Sequence, residues 1–114
     1  MTAFAPTQLI RGADQFATEW LSPSEVHITI RGDIDAYNAP DLAEYVFQRA
    51  ANSRRMILDM SGVEFFSTAG FARLRTIEVR CERAGVDWTL IPSKAVLRVL
   101  TICDPRHSLP IQGV

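Results

Sequence analysis

The 114 residues are enough for one domain around a single core, and 47% apolar against 22% charged side chains excludes a disordered chain. Twelve basic and thirteen acidic residues give a net charge of −1, so nothing pulls the whole chain toward nucleic acid. No apolar run nears the ~18 residues of a membrane span, and the N-terminus lacks the basic start and long apolar stretch of a secretory signal. A cytoplasmic protein without direct membrane insertion is expected.

Residues 1 to 14 show little periodicity and are expected to form a tail or a weak strand. Phe16, Thr18 and Trp20 then alternate onto one side. Ser22-Pro23-Ser24-Glu25 is a turn signal. Val26, Ile28 and Ile30 share one face of a second strand that is expected to end near Arg31, which completes a β-hairpin. Gly32-Asp33-Ile34-Asp35 breaks that strand. Asn38 is placed as an N-cap with Pro40 in the first turn, and Leu42, Tyr45, Val46 and Arg49 repeat at helical spacing. A helix over about 39 to 51 follows.

The strand expected over 55 to 60 is apolar on successive residues, Met56-Ile57-Leu58, which suits burial on both faces. A turn is expected at Ser61-Gly62, then an apolar trio, Val63, Phe65 and Phe66. Ser67 and Thr68 stand at the mouth of a helix that buries Phe71, Leu74, Ile77 or Glu78, and Cys81, and that stops at Gly85. Val86 to Ile91 forms another short strand. Ser93 caps a third helix with Val96, Leu97 and Leu100 inward, and Asp104-Pro105 ends it. Leu109 to Ile111 reads as a last edge strand. The order β-β-α-β-α-β-α, without internal repeat or linker, predicts one α/β domain over residues 15–112.

The hydroxyls at the helix mouth are the leading candidates for function. On residue type alone, one of them simply caps the helix, worth ~1 kcal/mol. The functional alternative is phosphorylation, because a helix N-terminus welcomes negative charge and a phosphate brings about −1.5 to −2 charges. Asp33 and Asp35 fit turn chemistry, and they are also expected at the same end of the sheet as Thr68, where carboxylates can position a phosphate donor or Mg²⁺. Arg73, Arg80 and Arg83, with Arg75 on their flank, read as a solvated helix face with Glu78 and Glu82 between them. Cys81 and Cys103 have no metal or redox spacing and read as small apolar residues. His27 and His107 lack partner spacing for a metal. No P-loop, GxSxG or nucleophile–base pair appears, so no catalytic residue, metal or cofactor is expected. Trp20 and Trp88 read as core.

Three segments carry a resemblance: Ile30-Arg31-Gly32-Asp33-Ile34-Asp35, Leu58-Asp59-Met60-Ser61-Gly62-Val63-Glu64-Phe65, and Ser67-Thr68-Ala69-Gly70-Phe71. In that order and spacing they resemble the STAS domain of the anti-sigma factor antagonist type, over about residues 15 to 112. The resemblance implies a mixed four- to five-stranded sheet with helices packed mainly on one side. Its other face would be covered by the N-terminal segment or by a second protomer. It implies a non-enzymatic binding module whose partner is an anti-sigma factor, often a serine-protein kinase, and a sigma factor released on binding. It implies phosphorylation of the signature hydroxyl, which aligns with Thr68 and has Ser67 as the alternative, and a phosphatase that resets the switch. The partner-binding set it implies is Asp33, Asp35, Ser67, Thr68, Ala69, Gly70 and Arg73. Ser67 stands where the family places an acid. Threonine at position 68 also resembles STAS subunits held by the ATPase of membrane lipid transporters, where the contact is constitutive. A nucleotide-binding sensor is a third reading, without a phosphate-cradling loop to carry it.

Overall fold

Strict alternation on the strands and helical spacing between them build the architecture. The computed structural model describes residues 15–112, and the tail or weak strand expected over residues 1–14 lies outside them. Its elements are β1 (Phe16–Ser22), β2 (Glu25–Ile34), α1 (Ala39–Ala50), β3 (Arg55–Phe66), α2 (Thr68–Ala84), β4 (Asp87–Ile91) and α3 (Lys94–Cys103). The four strands lie in the order β1-β2-β3-β4. The hairpin β1–β2 is antiparallel, and the pairs β2–β3 and β3–β4 are parallel. Each parallel pair requires a crossover, which α1 and α2 supply.

Val26, Ile28 and Ile30 on β2, Met56, Leu58 and Met60 on β3, and Leu90 on β4 are fully buried. They form one core with Leu42 and Val46 of α1, Leu74 and Ile77 of α2, and Val96 and Leu100 of α3. Each such side chain contributes about 1.5–3 kcal/mol by leaving water. The alternate residues His27, Ile57, Asp59 and Thr89 are only half-buried and line the other face of the sheet. The helices therefore pack on one side, as expected.

Several expectations are corrected. Strand β2 does not end at Arg31 but continues through Gly32 and Asp33 to Ile34. No turn forms at Ser61-Gly62, because β3 runs unbroken to Phe66. Thr29 and Arg31 face Asp59 and Gly62, so β3 holds an extra residue there, a β-bulge, and a second irregularity falls between Gly32 and Asp33. The Asp59 carboxylate steadies the first bulge by accepting from the Ser61 N–H at 3.0 Å and from the Ser61 hydroxyl at 2.7 Å. Leu109 to Ile111 contributes one isolated bridge to Leu90 rather than a strand. Trp20 is 46% exposed and not core. It sits near the turn of the edge hairpin, where the pairing shifts register between Trp20 and Ser22. Leu97 is partly exposed, and Phe71 is half-buried. Ile77, rather than Glu78, is the buried member of its pair.

Two carboxylates outside the apolar core hold neighbouring segments together. Asp59 lies 3.2 Å from the His27 ring across β2 and β3. Asp104, buried at the end of α3, accepts from the Ser108 N–H and hydroxyl and from the Leu109 N–H. Burial pushes the Asp59 carboxyl up, but the Ser61 hydroxyl and N–H and the His27 ring outweigh it and hold it below the ordinary value. Burial likewise raises Asp104, and the Ser108 and Leu109 N–H groups, the Ser108 hydroxyl and the Arg75 charge bring it below. A lowered folded pKa means that the native state binds fewer protons than the unfolded chain in acid. Stability from these groups is complete above the ordinary carboxylate range and declines as pH falls through it. Urea midpoints are expected to drop between pH 7 and about pH 3, with a shallower drop in Asp104→Asn. Equal pH slopes in the two proteins would contradict this assignment.

A candidate switch site at the mouth of α2

The site is assembled where two parallel strands end side by side. Ile34 pairs with Phe66, and Asp33 with Phe65. The Ser67 N–H continues the ladder by donating to the Ile34 carbonyl at 3.0 Å. This bond sets the Asp33–Asp35 segment against the start of α2, at the sheet end the sequence indicated.

The two hydroxyls are not equivalent. Ser67 has an extended backbone, φ −98° and ψ 168°, and its Oγ accepts from the Gly70 N–H at 3.3 Å. Ser67 is therefore the helix cap, and it is half-buried. Thr68 occupies the first helical position and is exposed. Among the described residues its hydroxyl has no hydrogen-bond partner. The first turn of α2 holds no acidic side chain, so no carboxylate competes for the positive end of the helix.

Gly70 explains why the turn can sit so low on the sheet. A Cβ there would lie 2.5 Å from Phe66 Cε1 and 3.0 Å from Ile34 Cγ2. The Phe66 ring is only 4% exposed and has little room to retreat. Gly70→Ala is expected to cost about 1–3 kcal/mol through overpacking, more than the gain of about 1 kcal/mol from helix propensity. A urea midpoint equal to or above wild type would contradict the close approach.

The acidic loop is internally braced. Asp35 Oδ1 accepts from the Tyr37 N–H at 2.9 Å and the Asn38 N–H at 3.1 Å. Asn38 stands at the N-cap position of α1 but does not cap it. Its Oδ1 accepts from the Asp35 N–H at 2.9 Å, and its Nδ2 donates to the Asp33 carbonyl at 2.9 Å. Gln15 Nε2 donates to the same carbonyl at 2.8 Å. Asp33 and Asp35 themselves remain exposed.

Ala69 is half-buried beside the hydroxyls, and Arg73 is half-buried one turn along α2. Two of the other helix arginines, Arg75 and Arg80, are engaged elsewhere. Arg80 stacks 4.1 Å over the Phe47 ring, and Arg75 donates to Ser108 at 2.6 Å. Both cysteines are free thiols, and burial pushes Cys81 up to about 11, which keeps it an inert thiol. Among the described residues no group of His, Cys, Asp or Glu is placed to hold a metal, and no helix is long and apolar enough to cross a membrane. Sequence reasoning passed over Tyr37, which is 93% exposed, and took Phe65 only as one of an apolar trio, whereas it is 52% exposed. The available signal was an aromatic inside a polar turn and another next to a buried Phe66.

The STAS domain family profile matches residues 21–112. The chain is 40% identical over 73 residues to the osmosensory protein A of Mycobacterium tuberculosis, covering 64% of this chain and 46% of that protein, so it spans about half that relative's length. It is 32% identical over 92 residues to the anti-sigma-F factor antagonist RsfA of the same species, covering 77% of this chain and 72% of that one. Among solved structures, an anti-sigma factor antagonist from Mycobacterium paratuberculosis superposes with a TM-score of 0.76 at 18% identity, over 87% of this chain and 85% of that chain. The unphosphorylated form of the anti-sigma factor antagonist SpoIIAA gives 0.69 at 15% identity, over 84% and 86%.

Proposed function

The chain belongs to the STAS domain family of anti-sigma factor antagonists, and we propose on that premise that it binds an anti-sigma factor, frees a sigma factor for transcription, and is switched off by phosphorylation of Thr68. The observation that carries this reading is the exposed Thr68 hydroxyl at an acid-free helix start, beside the Asp33–Asp35 strand end.

The chain acts by contact rather than catalysis, in the cytoplasm. Its partner is an anti-sigma factor with serine-protein kinase activity. Thr68 Oγ1 attacks the γ-phosphorus of the partner's ATP, its hydroxyl proton passes to a basic group of the kinase, and ADP leaves. Phosphatase-catalysed hydrolysis of the phosphothreonine restores the hydroxyl. Thr68 is favoured over Ser67 because the Ser67 oxygen is half-buried and already accepts from the Gly70 N–H. Ser67 in place of an acid matters too, since a phosphate at Thr68 meets no carboxylate within its own helical turn.

Each purified anti-sigma factor of the source organism would be titrated with the protein, then incubated with ATP and read by intact mass and peptide mapping. A complex with one of them, and one phosphate on Thr68 that persists in Ser67→Ala and vanishes in Thr68→Ala, is the expected result. Absence of binding to every such factor would refute the function. Phosphate only on Ser67 would reassign the switch.

A further inference from the structure

We infer that Tyr37 and Phe65 are the apolar anchors of the partner contact, and that the anti-sigma factor presents two apolar recesses with hydrogen-bond donors between them; this rests on the function proposed above.

A singly exposed aromatic is ordinary on a protein surface. These two differ by their position and by how they are held. The Ile34–Ser67 bond joins their segments. Tyr37 follows Ile34 by three residues and Phe65 precedes Ser67 by two, so both rings belong to the segments that this bond joins, close in the chain to the strand ends that lead to Thr68. Ile34 and Phe66 point into the core, so their neighbours Asp33 and Phe65, paired in register, face away from the helices. Other exposed apolar side chains lie elsewhere: Trp20 and Leu21 at the hairpin turn, Val79 on α2, and Leu97 and Ile102 on α3.

Tyr37 is 93% exposed, yet its backbone is locked by Asp35, which Asn38 in turn holds. A loop already fixed loses little entropy on binding. A large ring with few torsions on such a loop is the usual make-up of an interface hot spot. The exposed carboxylates of Asp33, Asp35 and Glu64 supply a polar rim, which calls for N–H, hydroxyl or cationic donors on the partner.

This arrangement also gives the switch its sign. A partner seated on both rings excludes water from the space between them and lowers the local dielectric. A phosphate on Thr68 then repels Asp33, Asp35 and Glu64 more strongly in the complex than in the free protein, and it must also be desolvated. The modified state is therefore selectively unstable when bound.

The test uses the full chain and the purified anti-sigma factor that binds wild type, with dissociation constants from calorimetry. Tyr37→Ala and Phe65→Ala are each expected to weaken binding about tenfold or more. Tyr37→Phe is expected to stay within about threefold, and Ile102→Ala, a remote exposed control, to match wild type. Melting curves verify folding, and Phe65→Thr replaces Phe65→Ala if the latter melts early, because Thr suits a strand. Wild-type affinity in both ring variants, with binding still lost in Thr68→Glu, would overturn the anchors and leave the function standing. An equal loss in Ile102→Ala would also overturn them by moving the contact elsewhere. If no anti-sigma factor binds wild type, the function and the anchors fall together.

Discussion

Asp104→Ala is expected to lower folding stability by about 3 kcal/mol. The carboxylate is 4% exposed, and it is the only buried acid among the described residues. Its two oxygens accept from the Ser108 N–H at 3.0 Å, the Ser108 hydroxyl at 2.9 Å and the Leu109 N–H at 3.1 Å. Hydrogen bonds to a charged group contribute about 1.5–3 kcal/mol each, and an orphaned buried donor costs about 1–3 kcal/mol. The Ser108 hydroxyl also accepts from Arg75 at 2.6 Å, so one residue ties the end of α3 to the outer face of α2. Leu109, 3% exposed, is seated in the core by the same turn. Asn restores only part of the loss, because its NH₂ must face one of the donors. A domain of this size shifts its melting point by roughly 12 °C or more for that change. A urea-derived loss under about 1 kcal/mol would show that the cluster is solvated and contributes little.

Thr68→Glu is expected to weaken partner binding about 100-fold while leaving the fold as stable as wild type or slightly more so. The two effects have opposite signs for one physical reason. A carboxylate in the first turn of α2 meets the positive end of the helix and is worth about 0.3–1 kcal/mol to folding. No acid occupies that turn in wild type, so the gain is not already taken. In the complex the same charge is desolvated beside Asp33 and Asp35, and a loss of about 100-fold in affinity, near 3 kcal/mol, follows. Thr68→Val removes the hydroxyl without adding charge and is expected to bind within about tenfold of wild type. Melting curves and calorimetric titration on the same samples separate the two effects. A Glu variant that binds as wild type would place the contact away from Thr68.

Much of the architecture was legible because it rests on local periodicity. Val26-x-Ile28-x-Ile30 reads as a one-sided strand, and Leu42, Val46, Leu74 and Ile77 fall at helical spacing whatever surrounds them. The caps at Ser93 and Gly85 were equally local: Ser93 Oγ accepts from the Val96 N–H, and Gly85 takes φ 71° with its N–H on the last turn. What escaped depended on a partner distant in the chain. Ser61-Gly62 has turn composition, yet pairing with β2 carries β3 through it as a bulge. Asn38 is a common cap residue, but the Asp33 carbonyl and Asp35 N–H took its side chain instead. Asp104 before Pro105 looked only like a helix stop, and its role appears once Ser108 and Leu109 fold back over it. The site shows the same division. That Asp33, Asp35 and Thr68 would share one end of the sheet was readable, whereas which hydroxyl caps the helix turned on the backbone of Ser67, which decides which oxygen caps and which faces solvent.

The most direct measurement follows the complex and the modification together. The protein is mixed with the purified anti-sigma factor kinase proposed as its partner, ATP is added, and the bound fraction and the Thr68 phosphate are recorded over the same time course, with a non-hydrolysable ATP analogue in parallel. The predicted result is that the bound fraction falls in step with phosphothreonine at Thr68 and stays constant with the analogue. A protein fully phosphorylated on Thr68 that remains bound would contradict the switch.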